Sequence, residues 1–235
     1  MLAGIFLLVK TWWQKNQRTR SKRRLHCRHL PPYTQRSPME KDKISSTPKV
    51  FYDPRANYCE QCGSPMLHRF VPEEGHERDV CPSCGFIRYF NPTPIVIAII
   101  EHKGKVLLAK RAIEPRKGYW TLPGGFQELH ESLAEGARRE SWEEAGADIE
   151  VTQLYTVFDI PFAGQTTFAF LAKLKDERFS PGPESLEVRL FSEDEIPWKD
   201  LSFRTVSLCL RHYFADRAAG RFPLHSILID RPADP

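Results

Sequence analysis

The stretch GFQELHESLAEGARRESWEEAGA, residues 125–147, decides how the whole chain is interpreted. Ser132 and Glu135 have the S-x-x-E spacing of a capping box, in which each side chain satisfies a free backbone amide of the other residue. We therefore predict a helix that begins directly after Ser132. Gly146 is placed to end this helix, because glycine readily adopts the left-handed conformation that closes helices.

Three carboxylates lie on one side of the predicted helix. At 3.6 residues per turn, Glu140, Glu143 and Glu144 fall within an arc of about 100°. Like charges at these spacings destabilise a helix, so a compensating cation is expected. Carboxylates beside a glycine-rich turn suit Mg²⁺, which binds through carboxylates and substrate phosphates. The alternative is an acidic face exposed to solvent, with Arg138 and Arg139 as neighbours.

Strands and helices alternate around this segment. The apolar run Ile95–Ile100 predicts a buried strand, and the turn at 103–104 followed by residues 105–111 predicts its hairpin partner. The mixture of elements predicts an α/β fold. Further strands are predicted at residues 120–122, 154–160, 166–174 and 187–191, and a second helix at residues 202–219.

Four of the six cysteines form two matched pairs, Cys59-x-x-Cys62 and Cys81-x-x-Cys84. Two such pairs bring four thiolates into tetrahedral reach and predict a structural Zn²⁺ site. Disulfides and a redox pair are the alternatives, although a redox motif needs only one pair. Four cysteine ligands leave no open coordination position, so this zinc is not expected to take part in chemistry.

The positive charge belongs to one end of the chain. Residues 1–50 hold 12 Lys and Arg against 2 Asp and Glu, whereas the other residues hold 22 against 28. We therefore expect no nucleic-acid partner for the body of the protein. We read residues 1–50 as a basic extension, either a plastid or mitochondrial transit peptide or a segment preceding a true start at Met39.

Composition excludes further classes of protein. The 235 residues are 41% apolar and 27% charged, which excludes wholesale disorder. No apolar run approaches the ~20 residues of a membrane-spanning helix, so no membrane partner is expected. The cysteines are too sparse for a secreted disulfide framework, and we expect a reducing compartment, the cytoplasm, unless the extension directs the chain to an organelle.

Residues 125–147 resemble the Nudix box, G-x5-E-x7-R-E-U-x-E-E-x-G-U, where U is a bulky apolar residue. The two U positions differ from the pattern, because Ser141 and Ala147 are small. The resemblance implies a Nudix α/β/α sandwich at residues 91–222, a small zinc ribbon at 51–90 and a C-terminal tail at 223–235. The seven fixed positions are Gly125, Glu131, Arg139, Glu140, Glu143, Glu144 and Gly146.

The resemblance also implies roles for these residues. Glu140, Glu143 and Glu144 would hold catalytic Mg²⁺ or Mn²⁺. Arg139 would orient a glutamate through a salt bridge, and Glu131 would support the loop and the helix.

Further site residues follow from the same resemblance. Glu187, with Glu184 close by, resembles an extra glutamate that related enzymes bring to the metals from this region; the alternative is an exposed carboxylate on a strand. Gly125 would permit the turn that enters the site, and Phe126 would contact substrate. From residue chemistry alone, Phe126 and the rings of Tyr119, Trp120, Phe158, Phe162 and Phe168 could stack on a base, although packing in the core is the favoured interpretation for each ring. Arg111 and Arg116 could meet a phosphate, and simple exposure to solvent is the alternative.

A zinc ribbon followed by this box resembles two groups of Nudix pyrophosphatases. The stretches FNPTP (90–94), GYWTLPGGF (118–126) and SLEVRLFSEDEIPW (185–198) are similar to plant plastid enzymes that cleave FAD and ADP-ribose. This likeness implies a dinucleotide substrate, FAD or ADP-ribose first, with release of AMP, and it allows a homodimer. The alternatives are hydrolysis of NADH or of NAD-capped RNA, although the SQPWPFP-type motif of those enzymes is missing, and a non-catalytic ligand sensor.

Overall fold

The computed structural model describes residues 54–230. The basic extension predicted at residues 1–50 lies outside that part of the chain. Within residues 54–230, no helix is long and apolar enough to cross a membrane.

A small antiparallel sheet follows the first cysteine pair. It consists of β1 (Leu67–Val71), β2 (His76–Val80) and β3 (Ile87–Arg88), in that order. The sequence did not predict this sheet, because its strands are short and rich in charged residues. Apart from Cys59 and Cys81, the buried apolar side chains of this unit are Val71 and Val80, so few apolar side chains stabilise it.

One eight-stranded mixed sheet forms the body of the protein. Six of its strands lie in the order β10-β5-β4-β9-β8-β11, while β6 pairs with β5 and β7 with β4. The β4–β9 and β8–β11 pairs are parallel and the others antiparallel. The bounds are β4 (Thr93–His102), β5 (Lys105–Arg111), β6 (Trp120–Thr121), β7 (Gly124–Phe126), β8 (Ile149–Ile160), β9 (Gln165–Leu174), β10 (Ser185–Phe191) and β11 (His225–Leu228).

Two helices cover opposite faces of this sheet. Alternate side chains of a strand point to opposite faces, and β4 serves both cores in this way. Ile97 and Ile99 join the core that contains α2 (Arg204–Ala219). Ala98 and Ile100 join the core that contains the end of α1 (Leu133–Ala145). The predicted α/β class and the α/β/α sandwich are therefore confirmed.

The predicted hairpin, strands and helices all form, with bounds that differ by a few residues. The C-terminal strand β11 was not predicted, because residues 223–235 were expected to form a tail. Instead, His225–Leu228 pairs with β8, and the backbone amide of Ile229 donates to the carbonyl of Asp159 at 2.8 Å. Four residues are too few for their alternation to stand out in a sequence.

Candidate metal and substrate site

Helix α1 is fixed at both ends as its sequence predicts. The Ser132 hydroxyl accepts from the Glu135 amide at 3.3 Å, and the Glu135 carboxylate accepts from the Ser132 amide at 2.7 Å. Gly146 closes the helix in the left-handed conformation, with φ of 56°. These caps fix where the helix starts and stops, and the small buried residues Gly136, Ala137, Ser141 and Ala145 lie on the side that packs inward.

Arg139 connects a carboxylate before this helix with two carboxylates in its second half. Its Nε and Nη2 donate to the two oxygens of Glu131 at 3.0 and 2.9 Å. Its Nη1 donates to Glu140 at 2.8 Å and to Glu143 at 3.0 Å. Its Nη2 also donates to the carbonyl of Phe126 at 2.9 Å, which fixes the loop before the helix. One guanidinium therefore positions two of the predicted ligands relative to the glycine-rich turn.

Glu144 is the buried member of the carboxylate group. It is 7% exposed, and one of its oxygens accepts from the Gly124 amide at 3.0 Å. Burial, together with the nearby charge of Glu140, raises the pKa of Glu144 to about 7 despite that hydrogen bond. Burial likewise raises the pKa of Glu140, against the opposing effect of Arg139. Neighbouring carboxylates held out of water favour a bound cation, because it offsets their repulsion and lost hydration.

Two glycines allow loops to approach these carboxylates. A Cβ atom on Gly125 would lie 2.6 Å from a carboxylate oxygen of Glu140. A Cβ atom on Gly182 would lie 1.7 Å from the carbonyl oxygen of Glu143, and the Gly182 amide donates to the carbonyl of Glu144 at 3.0 Å. The loop after β9 therefore lies directly on the end of α1, and it carries Glu184 to the site.

A cavity of about 1070 Å³ opens beside the carboxylates. Glu184 lines this cavity together with Glu140, Glu143 and Glu144. Glu187, which the resemblance placed at the metals, lies exposed on β10 opposite Lys110 and is not among the lining residues. A register irregularity in β10 between Ser185 and Glu187 separates the two glutamates, so the geometry favours Glu184.

The rest of the cavity wall is largely apolar. It comes from six strands, from the loop after β5, from the turn after β8 and from the start of α2, so no local motif could have revealed it. Phe126 lies 55% exposed and lines the cavity, as does Phe162. Trp120 and Phe158 belong instead to the core. Lining residues that the sequence did not single out include Ile97, Thr121, Leu122, Thr167, Ser202, Val206 and Ile229.

The four paired cysteines converge at a separate place. Their sulfur atoms all lie within 4.8 Å of one another, and the Cys59–Cys84 and Cys62–Cys81 sulfurs are 3.6 and 3.5 Å apart. A tetrahedral zinc site with Zn–S bonds of about 2.3 Å requires sulfurs roughly 3.8 Å apart, so the four cysteines fit zinc. None of the four is in a disulfide.

The site thus combines a glycine-rich turn, a helix bearing carboxylates and a large cavity, which define a metal-dependent hydrolase. The NUDIX domain model matches residues 90–208, and the Nudix N-terminal zinc-ribbon model matches residues 57–90. The chain belongs to the Nudix hydrolase family and to its branch with an N-terminal zinc ribbon. The enzyme class expected from the sequence is therefore confirmed.

The chain is also similar to curated proteins whose activities are named. The chain is 32% identical over 143 residues to the NAD-capped RNA hydrolase NudC of Stutzerimonas stutzeri, covering 60% of this chain and 49% of that protein. It is 29% identical over 167 residues to the human mitochondrial NAD(P)H pyrophosphatase NUDT13, covering 71% and 45%. The chain therefore spans about half the length of these curated relatives.

A solved structure with the same architecture is the NUDIX hydrolase from Nitrosomonas europaea. It is 46% identical, with a TM-score of 0.72, and the match covers 75% of this chain and all of that one.

Proposed function

We propose that this protein hydrolyses the pyrophosphate bond of a dinucleotide, with NADH or the NAD cap of RNA as the first candidates, and releases AMP or the AMP-ended RNA. The observation that carries this proposal is that one cavity contains both four carboxylates and an apolar compartment. The diphosphate of a dinucleotide requires cations, which the carboxylates can bind. An uncharged ring system suits the apolar compartment.

The order of candidate substrates differs from the one expected from the sequence. FAD and ADP-ribose came first there, whereas the named relatives act on NAD(P)H and on NAD-capped RNA. The absence of an SQPWPFP-type motif opposes this order, whereas the named relatives favour it. We therefore place NADH and the NAD cap first and keep FAD and ADP-ribose second.

The carboxylates would hold the catalytic cation. Glu140, Glu143 and Glu144 supply hard oxygen ligands from one helix, which suits Mg²⁺ or Mn²⁺. Such a cation supplies charge neutralisation on phosphoryl oxygens and acidifies bound water. Glu184 faces the same space from another loop, where it can complete the ligand set or accept a proton from water.

The remaining residues position the reactants. Arg139 holds Glu140 and Glu143, so its effect on the substrate passes through those carboxylates. Phe126 offers an exposed ring for stacking against a base. A sensor that has lost its chemistry is disfavoured, because all four glutamates of the box are present and three of them, Glu140, Glu143 and Glu144, line the cavity.

The cytoplasm is the proposed compartment, since the four paired thiols suit a reducing environment. One relative is named as mitochondrial, which keeps an organelle as the second candidate.

The test is hydrolysis by the purified full-length protein in Mg²⁺ or Mn²⁺. NADH, NAD-capped RNA, FAD and ADP-ribose are compared at equal concentration, and the products are identified by chromatography and ³¹P NMR. We expect AMP and reduced nicotinamide mononucleotide from NADH at a higher kcat/KM than for FAD. A preference for FAD or ADP-ribose would place these two substrates ahead of NADH and the NAD cap, as expected from the sequence. No turnover of any substrate with either metal would overturn the proposal.

A further inference from the structure

The first turn of α2 has no cap. Phe203 occupies the N-cap position, its side chain makes no capping bond, and the first turn contains no acidic residue. Helices usually begin with a side chain that satisfies the free amides, as α1 does with Ser132 and Glu135. Within residues 54–230, no hydrogen bond has the amide of Arg204, Thr205 or Val206 as its donor. Free amides at the positive end of the helix dipole are suited to an anion.

A buried hydroxyl beside this turn provides an independent observation. Ser202 is 4% exposed, lines the same cavity, and has a hydroxyl oxygen without a hydrogen-bond partner. Burying an unpaired hydroxyl costs free energy, so a partner is expected. Thr156 has the only other such hydroxyl among the described residues, and it does not line the cavity. The unpaired hydroxyl next to the helix start therefore points to a ligand.

Positive charge collects at the same place. Arg204 is the first residue of α2, where a basic side chain opposes the helix dipole unless an anion lies between them. Arg111 also lines the cavity, and its guanidinium carbon lies 5.2 Å from the ring centroid of Phe203. The Arg111 Nε donates to the carbonyl of Pro115 at 2.8 Å, which holds the side chain in place. Arg111, Ser202, Arg204 and the uncapped turn thus line one cavity, and the Arg111 charge also acts on Glu144.

We propose that Ser202, Arg111, Arg204 and the free amides of α2 form a phosphate subsite for a group on the adenosine ribose of the substrate. The inference rests on the proposed function and specifies its substrate class. The diphosphate itself belongs at the carboxylates, where cations would hold it, so a second phosphate must be bound elsewhere. A ribose phosphate has two sources, the 2′-phosphate of NADPH and the 3′-phosphodiester that follows the cap in NAD-capped RNA.

Binding of product-like nucleotides tests this subsite. The dissociation constants of AMP, adenosine 2′,5′-bisphosphate and adenosine 3′,5′-bisphosphate are measured by calorimetry on the full-length protein in Mg²⁺. We expect at least one bisphosphate to bind about tenfold more tightly than AMP, with a gain that shrinks as salt rises. Preference for the 2′ isomer indicates NADPH, and preference for the 3′ isomer indicates RNA. Equal affinities for all three nucleotides would overturn the proposal.

Variants identify the groups responsible. Arg204→Gln and Ser202→Ala should each lower the bisphosphate preference severalfold and leave the affinity for AMP nearly unchanged. Ser202→Ala should not lower the unfolding midpoint, because the hydroxyl it removes has no partner in the protein. Arg211→Gln is the matched control, since Arg211 lies further along the same helix against Trp198 and does not line the cavity. A preference that survives both cavity variants would contradict the assignment.

Turnover of NADH, measured on the same preparations, separates the two proposals. A bisphosphate preference without hydrolysis of any dinucleotide would overturn the proposed function and leave the subsite standing. Hydrolysis of NADH with equal affinities for the three nucleotides would overturn the subsite alone.

Discussion

The cysteine unit and the carboxylate site use metal ligands in opposite ways. In the first unit, four sulfurs gather within 4.8 Å while very few apolar side chains are buried around them. In the second, two apolar cores lie on either side of an eight-stranded sheet, and the carboxylates lie at the edge of a finished structure. The comparison teaches that a metal can replace a hydrophobic core in a small unit, whereas in a larger domain the core forms first and positions the ligands.

The largest expected effect concerns zinc. Structural zinc contributes about 10–16 kcal/mol of apparent binding free energy in small domains. Cys81→Ser should therefore abolish zinc binding and remove hydrogen-exchange protection from β1 and β2. Protection in β4 and β9 should remain, because their cores contain none of the four paired cysteines.

Cys209→Ala is the matched control for this change, since Cys209 is buried in the core and lies outside the group of four. It should keep one zinc per chain by elemental analysis. A Cys81→Ser protein that still binds zinc and keeps full hydrogen-exchange protection in β1 and β2 would contradict the conclusion that zinc replaces a hydrophobic core in this unit.

The second effect separates activity from stability in the larger domain. Glu144→Gln should lower kcat by about 10²–10⁴-fold, since metal catalysis contributes several kcal/mol to the barrier. The unfolding midpoint should hold or rise, because a neutral amide is easier to bury than a carboxylate whose pKa burial has raised to about 7. Kinetics with NADH and thermal unfolding measure the two quantities.

Glu150→Gln is the control for Glu144→Gln, because Glu150 is exposed on β8 and does not line the cavity. Its rate should match that of the parent protein. If Glu144→Gln fails to fold instead of losing activity, the carboxylate stabilises the domain. The carboxylates would then resemble the cysteines, whose loss is expected to unfold their unit.

The third effect compares two neighbouring glutamates. Glu184→Gln should reduce kcat by about 10–100-fold, since Glu184 lines the cavity and its charge reaches both Glu140 and Glu144. Glu187→Gln should change kcat by less than about twofold, because Glu187 is exposed on β10. The reverse order of effects would support the role that the family resemblance gave to Glu187.

The smallest effect tests whether the larger domain's stability responds to groups far from both metal sites. Burial and the charge of the stacked His225 lower the pKa of His212 below 6.5, although Asp216 opposes them. The unfolded chain then binds more protons just below pH 6.5, so stability is greatest above pH 6.5 and declines as pH falls. His212→Gln should flatten this slope in urea unfolding between pH 5 and 7.

His130→Asn is the control for the histidine. His130 is exposed with φ of 71°, a conformation that asparagine tolerates, so this change should leave the slope as it is. An unchanged slope in His212→Gln would assign the pH dependence to other groups.

The sequence predicted the local features of this site well. The capping box at Ser132, the stop at Gly146 and the spacing of the cysteine pairs all depend on residues a few positions apart. The hairpin of β4 and β5 also formed where a turn joins two apolar runs. Such features depend on backbone geometry and side-chain spacing, which short segments encode directly.

Features that depend on contacts between distant segments were not predicted. Glu184 reaches the cavity because Gly182 lets its loop lie against the end of α1. Trp120 packs edge-on against Phe191 in the core, which decides between the two roles that the sequence left open for this ring. Strand β11 brings Ile229 to the cavity wall although its sequence resembles a tail.

The sequence by itself determined the family, the helix that bears the carboxylates and the four cysteines that fit zinc, because each is encoded within a short segment. Only the tertiary structure decided which distant side chains share the cavity, which glutamate joins the carboxylates and where an unpaired hydroxyl meets an uncapped helix. The physical reason is that these arrangements arise when segments far apart in the chain pack into two cores, and packing is decided by the whole set of buried side chains.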